Sequence, residues 1–268
     1  MRVHGYEVTV GLDFRCRLPT RTKLFSPGPT SFGAASNAEV DGYTLATPGS
    51  LPALNRRAVE LAIRLVLVLG AEIEPISRWV RKHYFDRTLP KGYQVTQLAS
   101  PLARAGVIEA AGRRLGLTAI RLAEDVGELR HGSLDLNRAG APLLEIIGEP
   151  LLLRHGPEEA SAFLRALHEL VEASRIFSSD LPTGALRCDV HISLGSPERP
   201  THRACSIRDL ASCAAMEAAI AAEIRRQMAR LGPSTAIEPD ADCCYLPEPD
   251  VPPLRIDPAW IERVRAEL

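Results

Sequence analysis

One carboxylate sits where carboxylates are uncommon. The stretch Leu136-Asn-Arg-Ala-Gly-Ala-Pro-Leu-Leu-Glu-Ile-Ile-Gly-Glu-Pro150 runs from a polar turn into a short apolar segment with Glu145 at its centre. Read as a strand, it places Glu145 on one face with Leu143 and Ile147 and leaves Leu144 and Ile146 on the other. A carboxylate among aliphatic neighbours must reach water, find a cation or take up a proton. Two readings follow: an edge strand whose glutamate faces solvent, or a site for a metal ion or a phosphate. No G-x-x-x-x-G-K-[ST] and no G-x-G-x-x-G occurs. A nucleotide, if bound, is therefore not held by a Walker or Rossmann loop.

The elements around this segment are mixed. Tyr6 to Leu18 alternates as a strand, with Tyr6, Val8, Val10 and Leu12 set against Glu7, Thr9 and Asp13. An irregular region rich in Gly, Pro, Ser and Thr then runs from Pro19 to Pro52, a length uncommon for a loop unless it is functional or tied down. Asn55 is placed to cap a helix through Leu69, with Ala58, Leu61, Ala62 and Leu65 on one face and Gly70 as its stop. Residues 93 to 150 read as short strands punctuated by glycines. Pro157-Glu-Glu opens a second helix with Phe163, Leu167, Leu170 and Val171 as its apolar stripe. Gly184 to Leu194 reads as a strand with Leu186, Cys188, Val190 and Ile192 on one side. An alanine-rich helix spans about Ala211 to Leu231, and the prolines of Pro247 to Leu254 require extended chain. Helices separate groups of strands without regular alternation, so the expected class is α+β.

The chain has 268 residues, 32 Lys plus Arg against 33 Asp plus Glu, and a formal net charge of -1. That balance argues against a broad basic surface for nucleic acid. Only Lys23, Lys82 and Lys91 are lysines, so arginine carries the positive charge. The six cysteines include no C-x-x-C pair, and the N-terminal residues lack a signal-like apolar core. A soluble cytoplasmic protein with free thiols is expected.

Several stretches, in order along the chain, resemble the GatB subunit of the glutamyl-/aspartyl-tRNA amidotransferases. They are Gly11-Leu-Asp, Leu18-Pro-Thr-Arg-Thr-Lys-Leu-Phe, Pro48-Gly-Ser-Leu-Pro-Ala-Leu-Asn-Arg-Arg, Lys82-His-Tyr-Phe and Leu89-Pro-Lys-Gly-Tyr-Gln. Glu124-Asp-Val-Gly, Asn137-Arg-Ala-Gly-Ala-Pro-Leu-Leu-Glu-Ile, Gly184-Ala-Leu-Arg-Cys-Asp and Leu246-Pro-Glu-Pro-Asp-Val-Pro-Pro-Leu complete the set. The resemblance implies a single catalytic domain over 1–268, an antiparallel-sheet cradle like that of glutamine synthetase. It implies a C–N ligase that uses ATP and Mg2+ to phosphorylate a carboxylate, Glu or Asp on tRNA in the family. Ammonia from a glutamine-using amidase (GatA-like) partner, with a small GatC-like subunit, then completes the amide. It also implies site residues. Asp13, Glu124 and Glu145 match metal-site and catalytic carboxylates. Arg15, Lys91, Arg138, Arg187, Asp189 and Arg208 lie in matched motifs as ATP or substrate contacts, and Asp125 lies among them.

The departures matter. A family Glu-x-His is here Asp13-Phe-Arg15, and arginine cannot ligate a metal. Tandem acids are reduced to Ala123-Glu124, and a family Glu-Ile-Lys-Asn is Ser206-Ile-Arg-Asp. The early loop, where many members carry a zinc knuckle, has no cysteine, so no structural zinc is expected. The family's C-terminal helical and tail domains are absent from this sequence, which weakens the expectation of tRNA binding. Two readings stay open: an ATP-dependent amidotransferase core, possibly with another acceptor, or a scaffold subunit that has kept the fold.

Overall fold

The computed structural model describes residues 2–3, 6–130, 132–177, 181–195, 205–229 and 243–268. Its main strands are β1 (Tyr6–Arg17), β2 (Val80–His83), β3 (Tyr93–Thr96), β4 (Arg113–Glu124), β5 (Pro142–Gly148), β6 (Leu186–Gly195), β7 (Cys205–Leu210) and β8 (Cys244–Pro247). Its helices are α1 (Arg56–Val68), α2 (Glu158–Ala173), α3 (Cys213–Ala229) and α4 (Pro258–Arg265). The α+β class holds.

Strand β1 is the spine. Its residues Val8, Val10, Leu12, Phe14 and Cys16 are fully buried on one face. The intervening positions, Thr9 through Arg17, are only partly covered. Burying each large apolar side chain contributes about 1.5–3 kcal/mol, so this face alone fixes which side the helices take. The order across the large sheet is β7-β6-β1-β5-β4, followed by the short strands Ala103–Arg104 and Glu72–Ile73. All of these pairings are antiparallel. Helices α1, α2 and α3 bring Val59, Ile63, Phe163, Leu167, Met216 and Ile220 into the same core cluster.

The helix ends follow their sequence signals. Asn55 caps α1 by accepting a hydrogen bond from the Ala58 N–H at 3.2 Å, and Gly70 stops it in the left-handed region at φ 62°. Helix α3 begins at Cys213 rather than Ala211, and the expected end at Leu231 lies outside the described residues. At α2 the acid does more than meet the helix dipole. The Glu159 carboxylate accepts the N–H groups of Arg154, His155 and Gly156 and the guanidinium of Arg113. One side chain thereby ties the turn before α2 to β4.

The long region from Pro19 to Pro52 is held in place by the Asn137–Gly140 turn. Asn137 accepts the Glu39 N–H at 2.9 Å and donates to the Ala35 carbonyl at 2.6 Å. The Leu24 N–H donates to the Gly140 carbonyl at 2.9 Å. Gly140 itself has φ 80°, and a Cβ there would stand 3.3 Å from both Lys23 and Thr44. The polar turn that precedes Glu145 is thus the anchor of a 34-residue loop spanning 19 to 52.

Burial pushes the Glu159 carboxyl up, but its N–H donors and Arg113 outweigh burial and hold it below the usual carboxylate range. Its stabilising effect is therefore present above about pH 4.3, the unfolded value, and is lost as pH falls through the lower folded value. Glu159→Gln is expected to cost about 1–3 kcal/mol at neutral pH, with the gap from wild type narrowing in strong acid. Urea unfolding of both proteins across that range checks it.

Candidate active-site face

Register decides which charged residues meet. In an antiparallel pair, directly opposed residues point to the same face. Glu145 on β5 is opposite Arg15 on β1 and opposite Arg121 on β4, and Arg15 is opposite Arg187 on β6. One row across four strands therefore reads Arg121, Glu145, Arg15, Arg187. The next row holds Ile147, Asp13 and Asp189, and a third holds Gly11, His191 and Ser206. This face lies opposite the helices, and the sheet puts Asp13 and Glu145 on it together.

Nearly every charge on the face is answered. Arg15 bonds Asp189 at 2.8 Å. Arg187 bonds Asp125 at 2.8 Å and Asp209 at 3.0 Å. Asp13 accepts from His191 Nε2 at 3.1 Å. Asp209 occupies a bulge of β7 at φ 58°, which turns its N–H toward Asp189 at 2.9 Å. Arg138 donates to the Val126 carbonyl at 2.8 Å and stands 3.6–3.8 Å from Asp125, Glu128 and Asp209. Arg208 lies on the edge strand, close enough for its charge to act on His191.

Glu145 is the exception among the carboxylates. It is half-buried, and burial raises its carboxyl above the usual range, against the lowering pull of Arg15, Arg121 and Lys82. Asp13 adds to the effect of burial, and Arg15 is shared with Asp189 at 2.8 Å.

Glu124 does not join this group. Alternation along β4 puts it on the opposite face, with Leu122 and Ile120. There it is 1% exposed and bonds Lys91 Nζ at 2.6 Å and the Val95 N–H at 3.0 Å. Lys91, expected as a phosphate contact, is spent on this pair and packs over the Tyr43 ring at 4.0 Å. Beyond Arg121, the next β4 residue on the face of Glu145 is Ala123, opposite Leu143. Position 123 is where the first of the tandem acids is missing. Among the described residues no three His, Cys, Asp or Glu side chains are grouped to hold a metal ion.

A cavity of about 900 Å3 opens at the Arg17 end of this face. Arg17, Arg87, Arg130, Arg138 and Arg187 line it, together with Asp86, Asp125, Glu128 and Asp209. Arg17 is stacked on Phe32, 4.3 Å from its ring centroid. The Nε atoms of Arg17 and Arg187 are fully buried and lack a hydrogen-bond partner within the protein, while their terminal nitrogens bond Thr30, Ser31, Asp125 and Asp209. Sequence reasoning found Arg138 and Arg187 but missed Arg17, Arg87, Arg121, Arg130 and His191. The alternation of β1 places Arg17 on the same face as Arg15, a signal that was available. The others depend on pairings that no local pattern encodes.

Residues 8–262 match the family model described as the GatB/GatE catalytic domain. The chain belongs to the GatB/GatE catalytic-domain family. Among its relatives are the GatB subunits of the aspartyl/glutamyl-tRNA(Asn/Gln) amidotransferases of Albidiferax ferrireducens, 38% identical, and of Herminiimonas arsenicoxydans, 40% identical. In both cases the match covers 98% of this chain and 61% of the relative. The GatB subunit from Synechococcus sp. (strain JA-3-3Ab) is 35% identical over the same shares. The chain thus spans about three fifths of the length of these relatives. None of the helices in the described residues is long and apolar enough to cross a membrane.

The Lys91–Glu124 assignment is testable. Lys91→Met strands a buried carboxylate and is expected to destabilise the fold by about 3–5 kcal/mol. Adding Glu124→Gln is expected to restore most of that loss. Chemical unfolding of the single and double variants decides, and a lone Glu124→Gln that leaves stability unchanged would return Glu124 to a catalytic role.

Proposed function

We propose that the chain is the carboxylate-activating part of a cytoplasmic, ATP-dependent amidotransferase, working with an amidase partner that supplies ammonia from glutamine. The observation that supports this reading best is the arginine-walled cavity of about 900 Å3 at one end of the face that holds Glu145. Guanidinium forks match phosphate oxygens in geometry and charge. When bound, ATP supplies the phosphoryl group that turns an acceptor carboxylate into an acyl phosphate, which ammonia can displace.

The residues of the chain divide the work. Arg17, Arg138 and Arg187 bind phosphate. Arg15 and Arg121 steady the acceptor carboxylate, because they already surround one. The expected Mg2+ does not fit as an ion held by Asp13, Glu124 and Glu145, since the first is bonded to His191 and the second faces away. The ion belongs with the phosphates, where hard cations keep much of their water and take few protein ligands.

A second reading, a binding subunit that retains the fold, is favoured by one observation: Ala123 stands on the active face where an acid is missing. The relatives are named for tRNA(Asn/Gln), and tRNA is the first acceptor to test here.

Calorimetric titration of ATP with Mg2+ into the chain separates the two readings. Saturable binding is expected, weakened about tenfold or more by Arg138→Ala, the loss of one charge-assisted contact of roughly 1.5–3 kcal/mol. Absence of binding, with and without the amidase partner, would leave the binding-subunit reading.

A further inference from the structure

The third row of the polar face is not used in the function proposed above. His191 Nδ1 lies 2.7 Å from Ser206 Oγ, and His191 Nε2 lies 3.1 Å from Asp13 Oδ2. A carboxylate only accepts, so Asp13 fixes the ring proton on Nε2. The neutral imidazole then presents the Nδ1 lone pair to the Ser206 hydroxyl. A hydroxyl on a base that is itself oriented by a third group is the arrangement of an activated nucleophile.

The sheet builds this row in a specific way. His191 is opposite Ser206 on one side and Gly11 on the other. With no side chain at position 11, the ring lies across β1 and reaches Asp13, two residues further on. A Cβ at Gly11 would stand 3.4–3.5 Å from His191 Cβ and Cδ2, so a branched side chain there displaces the ring. Ser206 is on the edge strand and exposed, while His191 and Asp13 are partly covered, with side-chain exposures of 35% and 29%. The nucleophile is open to solvent and the groups behind it are held. Arg208 lies close enough for its charge to act on His191.

We propose that Asp13, His191 and Ser206 form a serine-nucleophile site that acts on carboxylic esters. Ser206 Oγ attacks the ester carbonyl carbon while its proton passes to His191 Nδ1. The Oγ–C bond forms, the ester C–O bond breaks, and His191 returns the proton to the departing alkoxide. Water, deprotonated by His191, then attacks the acyl-serine; its C–Oγ bond breaks, Ser206 regains a proton, and the acid leaves. No nucleotide enters these steps, so this activity and the ATP-dependent reading stand or fall separately.

The test uses the intact chain and an alkyl fluorophosphonate, which reports activated serines by forming a P–Oγ bond and releasing fluoride. Intact mass and peptide mapping are expected to show one adduct, on Ser206, absent in Ser206→Ala. His191→Gln is expected to slow labelling by about 10²–10⁴-fold, the scale of general-base assistance, and Gly11→Val and Asp13→Asn to slow it as well. Thermal melts verify that each variant is folded; Ser206→Ala, at an exposed position, serves as the control. Hydrolysis of a p-nitrophenyl ester is expected to fall in parallel. Absence of an adduct, an adduct at another residue, or a Ser206 adduct whose rate ignores folded His191→Gln would each overturn the proposal.

Discussion

A strand that must be dry on one side and charged on the other imposes a condition on everything beside it. The apolar side of β1 is settled by helices, but its other side places Asp13, Arg15 and Arg17 in positions too covered for water alone to satisfy them. Each of these charges needs a partner, and directly opposed arginines at 15 and 187 repel unless carboxylates stand between them. Asp189, Asp125 and Asp209 meet that need from three different parts of the chain. The loop at 125, the bulge at 209 and the register of β6 are all consequences of neutralising one face.

This explains why the face is both rigid and unfinished. Removing one member of a buried pair strands the other, so the network resists change. Glu145 differs, because burial raises its carboxyl against the pull of Arg15, Arg121 and Lys82, and the arginines nearby line an open cavity. Compared with the family pattern, arginine stands where a histidine is expected at 15 and alanine where an acid is expected at 123. Both changes remove a side chain able to ligate a metal ion from the face. The same row of strands also brings His191 between Asp13 and Ser206, at a position where the family motif carries a glutamate in place of the serine.

Much of the fold was legible. The alternation of Tyr6–Arg17 and of Leu186–Gly195, the Asn55 cap, the Gly70 stop and the stripe of α2 all act within a few residues, where periodicity and capping are decided locally. Alternation placed Glu145 with Leu143 and Ile147, and Asp13 with Glu7 and Thr9, as the register has them. What could not be read was register. Glu124 and Glu145 both lie in strands, and nothing local shows that they point to opposite sides of one sheet. His191, Arg121 and Ser206 acquire meaning only through cross-strand pairs, and His191 pairs with a β1 residue 180 positions away in sequence. Cavity residues such as Asp86, Arg87 and Thr88 come from a loop, and Arg130 from a short two-stranded hairpin, whose placement depends on the same assembly.

Apart from Glu145, the carboxylates of this face are paired with the protein's own cations, and no standing divalent-metal site is expected among them. Electron paramagnetic resonance of Mn2+ titrated into the nucleotide-free chain measures this directly, since free and bound ions differ in signal. No stoichiometric Mn2+ uptake is expected until nucleotide is added. Saturable one-to-one binding without nucleotide, abolished in Glu145→Gln, would contradict that expectation.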